Sequence, residues 1–166
     1  MSVASADIMK SINAAWNAST LDATFKALWP DPTDATFPVM HDQEASPGQP
    51  FPYCVAEQFT GNTTDRMSGG PDSLREVRES TVRFHIHTMP VDGDLRSEKE
   101  IAAYLAEEMM KVFGGHPTVA PTATLALDNG NVLWMKYEND FGIRPDETYY
   151  EWLLHYAVMS DVPVMA

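Results

Sequence analysis

Apolar residues at helical spacing predict two helices at the start of the chain. In the first, they recur every three or four positions, and Ser5 precedes them as a candidate N-cap. In the second, Asp22 lies near the start, where a negative charge is favourable, and Pro30 and Pro32 follow the end. The apolar faces consist of Ile8, Ile12, Ala15 and Trp16, and then of Leu21, Phe25, Leu28 and Trp29.

The clearest helical pattern covers residues 97–113. It opens with Ser97-Glu98-Lys99-Glu100, the S-x-x-E pattern in which serine and glutamate each bond the backbone N–H of the other. Charged residues lie opposite an apolar stripe, and Gly114-Gly115 supplies a stop signal. The stripe consists of Ile101, Tyr104, Leu105, Met109, Val112 and Phe113. The pattern predicts one central amphipathic helix.

Strict alternation over residues 77–88 predicts a strand with one buried and one solvent-facing side. Val82, Phe84 and Ile86 form the apolar side, while His85 and His87 lie on the polar side.

Aromatic and β-branched residues predict further strands over residues 53–59, 132–137 and 149–158. We expect shorter extended segments at residues 37–41 and at residues 118–127, the second broken by a proline.

Turn-forming residues separate the predicted strands. Residues 60–73 are rich in Gly, Asn, Thr, Asp and Ser, which predicts a long exposed loop or a flexible hairpin tip. Residues 128–131 contain Asn-Gly, a hairpin-turn signal, and residues 141–146 are expected to form a loop before the last strand.

The order of helix, strands, helix, strands predicts an α+β fold with an antiparallel or mixed sheet. The N-terminal helix and the central helix are expected to pack on one face of that sheet. A chain of 166 residues has the length of one domain, and we find no internal repeat or low-complexity linker, so a single domain over 1–166 is expected.

Charge and composition exclude several functions. The chain carries 11 basic and 24 acidic residues, a formal net charge of −13, so sequence-specific nucleic-acid binding is not expected. No apolar run has the length of a membrane span, and no signal peptide is recognised at the N-terminus, so no membrane association is expected. The single cysteine, Cys54, excludes an internal disulfide and is expected to be a buried, inert residue.

His85 and His87 are the strongest candidates for chemistry. Two imidazoles at i, i+2 on one strand face can bind one metal ion, but two ligands do not complete a site. The alternative is two half-exposed histidines on the polar face of a sheet. The carboxylate pairs lie in predicted loops or on a charged helix face, and no nucleophile or phosphate-binding motif is present. We therefore predict no catalytic residue, no cofactor and no resident metal.

The last predicted strand has large apolar groups on both sides, among them Tyr150, Trp152 and Tyr156. A strand covered on both faces within one protomer has this pattern, and so does a strand whose outer face meets another subunit. Both interpretations stay open at the level of the sequence.

The whole layout resembles the tail terminator (tail completion, minor tail) proteins of long-tailed phages and related gene transfer agents. The shared pattern is an N-terminal helix ending near Trp29-Pro30, a proline-rich approach to Pro50-Phe51-Pro52-Tyr53, and the strand around His85. A single amphipathic helix, two more strands and a short tail then follow.

The resemblance implies a non-enzymatic virion protein that forms a homo-oligomeric ring, commonly a hexamer. Such a ring caps the tail tube protein, ends polymerisation of the tube and joins it to the head–tail connector or adaptor protein. It implies a location at the tail end or neck of the virion, after assembly in the host cytoplasm. The residues expected at the interfaces are Arg66, Met67, Asp72, Tyr150, Trp152 and Tyr156.

Two alternatives remain at this level. The first is another neck or head-completion adaptor protein of the same particle. The second is a small metal-dependent enzyme that uses His85 and His87.

Overall fold

The computed structural model describes residues 3–68, 74–128 and 130–163. Within them the chain forms three helices and five strands. The helices are α1 (Val3–Ala18), α2 (Leu21–Lys26) and α3 (Glu98–Phe113). The strands are β1 (Met40–Asp42), β2 (Tyr53–Ser68), β3 (Leu74–Thr88), β4 (Asn131–Ile143) and β5 (Tyr150–Pro163).

The strands form one mixed sheet in the order β1-β2-β3-β5-β4. β1 is parallel to β2, whereas β2–β3, β3–β5 and β5–β4 are antiparallel pairs. With α1 and α3 packed on one face of this sheet, the structure confirms the predicted α+β fold. None of the helices in the described residues combines the length and apolar character that a bilayer crossing requires.

The core lies between the sheet and the helices. Phe84 of β3 and Tyr156 of β5 contact Phe113 of α3, with ring centroids 5.0 and 6.4 Å apart. The Tyr156 hydroxyl donates to the Gly114 carbonyl oxygen at 2.8 Å, which joins β5 to the end of α3. The other largest fully buried side chains are Ile8, Ile12, Trp16, Leu21, Phe25, Ile86, Ile101, Leu105, Met109 and Leu154.

The central helix is confirmed at both ends. The Glu100 N–H donates to the Ser97 hydroxyl at 3.3 Å, and the Ser97 N–H donates to the Glu100 carboxylate at 2.8 Å, so the predicted capping box forms. The helix stops at Gly114, whose φ of 116° disfavours any residue with a side chain. At the other end of the chain, Ser5 lies inside α1, which begins at Val3, so the predicted N-cap is wrong.

The predicted strand at residues 118–127 is wrong, because these residues are irregular apart from one isolated bridge. Backbone N–H groups of this segment instead form hydrogen bonds with the C-terminal end of α3. The N–H groups of Thr122 and Ala123 donate to the carbonyls of Lys111 and Val112 at 3.3 and 2.9 Å. Since the last carbonyls of a helix have no partner within it, this segment caps the C-terminus of α3.

Two predicted loops are strands over part of their length. β2 continues to Ser68 and stays paired with β3, with register shifts between Thr60 and Asp65. Of the two alternatives predicted for residues 60–73, the long loop is wrong for residues 60–68, which belong to the arm of the β2–β3 hairpin. Residues 69–73 lie outside the described part of the chain. The loop predicted at residues 141–146 is wrong at its start, because β4 pairs with β5 as far as Ile143.

The sheet has two open edges. β1 covers β2 only opposite residues 54–56, so no described strand pairs with the outer side of β2 from Glu57 onward. β4 pairs with β5 on one side, and no described strand pairs with its other side. Unpaired N–H and C=O groups along an edge are a template for another strand.

Candidate interaction surface

The outer face of the sheet, opposite the helices, combines histidines, carboxylates and aromatic rings. Side chains alternate along each strand, so paired residues on neighbouring strands share a face. Three adjacent rows of this face are Tyr53–His87–Glu151, Val55–His85–Leu153 and Glu57–Arg83–His155.

His85 lies at the centre of the outer face and is bonded to a carboxylate on each neighbouring strand. Its Nε2 is 2.9 Å from Oε2 of Glu57 on β2, and its Nδ1 is bonded to Oε1 of Glu151 on β5. The side chain of His85 is 16% exposed, that of Glu151 11% and that of Glu57 34%. The three side chains therefore connect β2, β3 and β5 in a largely shielded position.

Electrostatics favours the charged form of His85. Burial lowers the pKa of His85, but the hydrogen bonds and charges of Glu151 and Glu57 more than offset it, so the pKa lies above its ordinary value. The bond from His85 lowers the pKa of Glu151, against the opposing effect of burial. An imidazolium can donate from both ring nitrogens, which matches the two carboxylates.

Aromatic rings continue the surface toward the start of β2. The His87 ring stacks on Tyr53, with centroids 4.7 Å apart and planes 18° from parallel, and Tyr149 lies 5.9 Å away. Burial, together with the charge of His85, lowers the pKa of His87 despite the attraction of Glu151. His87 Nδ1 is buried and has no hydrogen-bond partner among the described residues. A neutral ring is therefore favoured in this stack.

In two further contacts, an arginine or histidine side chain lies against an exposed aromatic ring. The Arg83 guanidinium lies over the Phe59 ring at 5.0 Å, and His155 meets the edge of the Phe141 ring at 5.4 Å. Burial lowers the pKa of His155, and the charges of Arg83 and His85 lower it further. Arginine and aromatic side chains are enriched at protein interfaces, and Phe59 and Phe141 are 47% and 45% exposed.

The surroundings of His85 and His87 indicate a structural role and not a metal site. The rings of His85 and His87 are stacked 6.3 Å apart, and both nitrogens of His85 are already bonded to carboxylates. Within residues 3–68, 74–128 and 130–163, no group of three or more His, Cys, Asp or Glu side chains has metal-site geometry. Cys54 is fully buried, and burial raises the pKa of its thiol, which disfavours the reactive thiolate.

The predicted contact residues fall into two places. Arg66 and Met67 lie near the end of β2, paired with Glu76 and Arg75 of β3, while Asp72 lies outside the described residues. The structure therefore brings Arg66 and Met67 to the far end of the β2–β3 hairpin, away from the residues predicted on β5.

The residues predicted on β5 point toward the helix side of the sheet. Tyr156 is fully buried in the core, and Tyr150 is 8% exposed. Trp152 is half-buried and donates from Nε1 to Asp140 at 2.8 Å. The fold of one protomer therefore accounts for the environment of Tyr156.

Glu57 and Glu151 are the residues of this surface that sequence reasoning missed. Both lie on predicted strands at positions facing away from the core, which is the available signal. Their convergence on His85 depends on the register of β2 and β5 against β3, and the sequence pattern does not fix that register.

The fold was compared with known proteins. No family model matches the sequence, and no curated protein matches it. Among solved structures, it is similar to a chain in the virion of a native gene transfer agent (GTA) particle, with a TM-score of 0.52 at 12% identity. That alignment covers 97% of this chain and 99% of the other. A second solved chain aligns at 16% identity over 92% of this chain and 94% of the other, with a TM-score of 0.39 that supports no argument.

Proposed function

We propose that this chain is a structural virion protein of a phage or gene transfer agent and has no catalytic activity. The observation that carries the proposal is the fold likeness to a chain of a GTA virion, because it spans nearly the whole of both chains. The resemblance of the sequence layout to tail terminators supports the same class from residue patterns.

Within the particle, the proposed role is that of a tail terminator. A ring of copies, commonly six, caps the tube, ends its polymerisation and joins it to the head connector. The two open edges of the sheet support assembly, since a contact between two different surfaces of one protomer generates a ring when its rotation closes. The role places the protein at the tail end or neck, after assembly in the host cytoplasm.

The outer face supports a non-catalytic role. Its most polar cluster, Glu57–His85–Glu151, connects three strands and leaves neither nitrogen of His85 free for a substrate or a metal ion. Among the residues predicted at the interfaces, Arg66 and Met67 at the far end of the β2–β3 hairpin are proposed to contact the tube or the connector.

The test is the position and effect of the protein in the particle. Particles produced without it should carry tail tubes of uncontrolled length, and a map of the complete particle should show a ring of this chain at the head-proximal end of the tube. Normal tube length without the protein, together with its absence from the particle, would contradict the proposal. A position on the connector side of the terminator ring would identify it as a neck adaptor instead.

A further inference from the structure

We infer that β4 of one copy of this chain docks beside β2 of the next copy, so that the sheet continues from protomer to protomer. The inference rests on the proposed function and specifies how neighbouring members of the ring touch. Four observations carry it: strand polarity, exposed apolar residues, a groove beside β2 and the charges at the two edges.

Strand polarity fits the contact. β2 is antiparallel to β3, β3 to β5, and β5 to β4, so β2 and β4 run in opposite directions within one protomer. Two copies in the same orientation would therefore bring β4 of one and β2 of the other together as antiparallel neighbours. That is the pairing which three of the four strand contacts within the protomer already use.

Exposed apolar residues concentrate on the two strands with an open edge. Phe59 of β2 is 47% exposed, and Trp134, Phe141 and Ile143 of β4 are 38%, 45% and 40% exposed. The register places Phe59, Phe141 and Ile143 on the outer face of the sheet. At the same level in the sheet, Phe141 and Ile143 are level with Val55 and Tyr53 and would lie at β1. The docking part of β4 is therefore its first half, and the contact would bring Trp134 and Phe59 to the interface and remove apolar surface from water.

A groove lies beside the uncovered part of β2, where β1 ends. It encloses about 530 Å³ and is lined by Gln43, Glu44, Glu57, Gln58 and Phe59. Since β1 pairs with β2 only opposite residues 54–56, the groove occupies the position that the next paired strand would take. Of its two lining carboxylates, Glu57 is bonded to His85, whereas Glu44 is exposed, so the charge of Glu44 favours a strand that carries a positive charge.

β4 carries that charge at the matching level of the sheet. Lys136 is exposed and lies in the same row as Phe59, through the pairs Phe59–Thr81, Thr81–Ala157 and Ala157–Lys136. A second copy at the same level would place its Lys136 beside the groove. Among the described residues, neither Lys136 nor Glu44 has an ion pair within the protomer, so both charges remain available for a contact between copies.

Charge reversal tests the contact in the full-length protein. We expect Lys136→Glu or Glu44→Lys alone to weaken association of the copies by about tenfold or more, and the double variant Glu44→Lys/Lys136→Glu to restore it. Sedimentation of each variant over a concentration series measures the association. Lys99→Glu, a charge reversal on the exposed side of α3, is the matched control and should associate like the wild type.

Cysteine cross-linking provides a second measurement that does not depend on affinity. Glu44→Cys/Lys136→Cys, treated with a short bismaleimide, should give a ladder of covalent oligomers that ends at the ring size, while Glu44→Cys/Lys99→Cys should not. Native Cys54 is fully buried and serves as an internal control.

The outcomes separate the two proposals. If the wild type forms rings, but Glu44→Cys/Lys136→Cys gives no ladder and the single charge-reversal variants associate like the wild type, the docking inference is overturned while the proposed function stands. Cross-links from both cysteines to a different protein also overturn the inference. If the wild type remains monomeric in solution and is absent from the tail end, both proposals fail.

Discussion

His85 on β3 is bonded through Nδ1 to Glu151 on β5, although the two residues are not directly opposite each other in the sheet. His85 is paired with Leu153, and Glu151 with His87, so the bond crosses the sheet diagonally. Glu57 reaches His85 from the other side by the same kind of diagonal, because its direct partner is Arg83. One imidazole thus connects three strands through side-chain hydrogen bonds.

This relationship predicts a pH window for stability. The pKa of His85 is raised above 6.5, so its contribution is complete below pH 6.5 and is lost as the pH rises through the raised value. The pKa of Glu151 is lowered below 4.5, so its contribution is present above pH 4.5 and is lost as the pH falls through the lowered value. Both contributions are complete between these two limits.

Urea unfolding of the wild type and His85→Gln measures the window. The difference in free energy of unfolding between them should be larger at about pH 5.5 than at about pH 8.5. Making both measurements in a His87→Gln background removes the contribution of His87, whose pKa is lowered, in part by the charge of His85, and which acts in the opposite direction. A difference that grows toward alkaline pH would contradict the assignment of a charged His85.

The two carboxylates should contribute unequally. Glu151→Gln should lower the free energy of unfolding by about 1–3 kcal/mol, because it leaves a shielded imidazolium with one anionic partner. Glu57→Gln should cost less, since the side chain of Glu57 is 34% exposed and that of Glu151 only 11%. Chemical denaturation at about pH 6 provides both values, and the reverse order would show that solvent does not screen Glu57.

Substitution of Tyr156 should lower the stability of the fold and should not alter the association of copies. Tyr156→Phe removes the hydrogen bond to the Gly114 carbonyl and should lower the free energy of unfolding by about 0.5–1.5 kcal/mol. Tyr156→Ala should cost about 3–5 kcal/mol, because it leaves a cavity beside Phe84 and Phe113. Denaturation gives the free energies, and sedimentation of folded Tyr156→Phe should match the wild type. A folded Tyr156→Phe with altered association would identify a direct role in the interface.

Gly115 should tolerate no side chain. Its φ is 101°, and a Cβ atom there would lie 2.6 Å from Cγ of Tyr137. Gly115→Ala should therefore lower the thermal midpoint through both backbone strain and a clash. Gly93→Ala is the matched control, because Gly93 also has a positive φ, of 80°, but has nothing within 4 Å of the added atom. Equal decreases in the thermal midpoint of the two variants would show that the Tyr137 side chain moves aside without an energetic penalty.

Much of the fold could be predicted because its signals are local. The capping box from Ser97 to Glu100 and the alternation around Phe84 specify α3 and β3 from neighbouring residues alone. Two of the errors arise because the hydrogen-bond partners of the segment concerned lie outside it. Residues 60–68 form a strand because β3 lies beside them, and residues 118–127 are irregular because their N–H groups bond the end of α3.

The candidate surface was less predictable than the fold. Alternation places His85 on the side of its strand that faces away from the helices, which the structure confirms, although its neighbours shield it from solvent. Its partners, Glu57 and Glu151, lie 28 and 66 residues away in the sequence, so their approach depends on strand order and register. A shift of one residue in either register would turn the carboxylate to the opposite face.

The position of β3 between β2 and β5 has a consequence for how the protein is made. β3 is paired along its length on both sides, yet β5 is synthesised only after β2, β3, α3 and β4. A nascent chain that has completed the β2–β3 hairpin therefore exposes one flank of its central strand to the cell until the C-terminal segment emerges. Translation that stops before β5 would release a molecule that is prone to aggregate through the uncovered side of β3, even where its helices have formed.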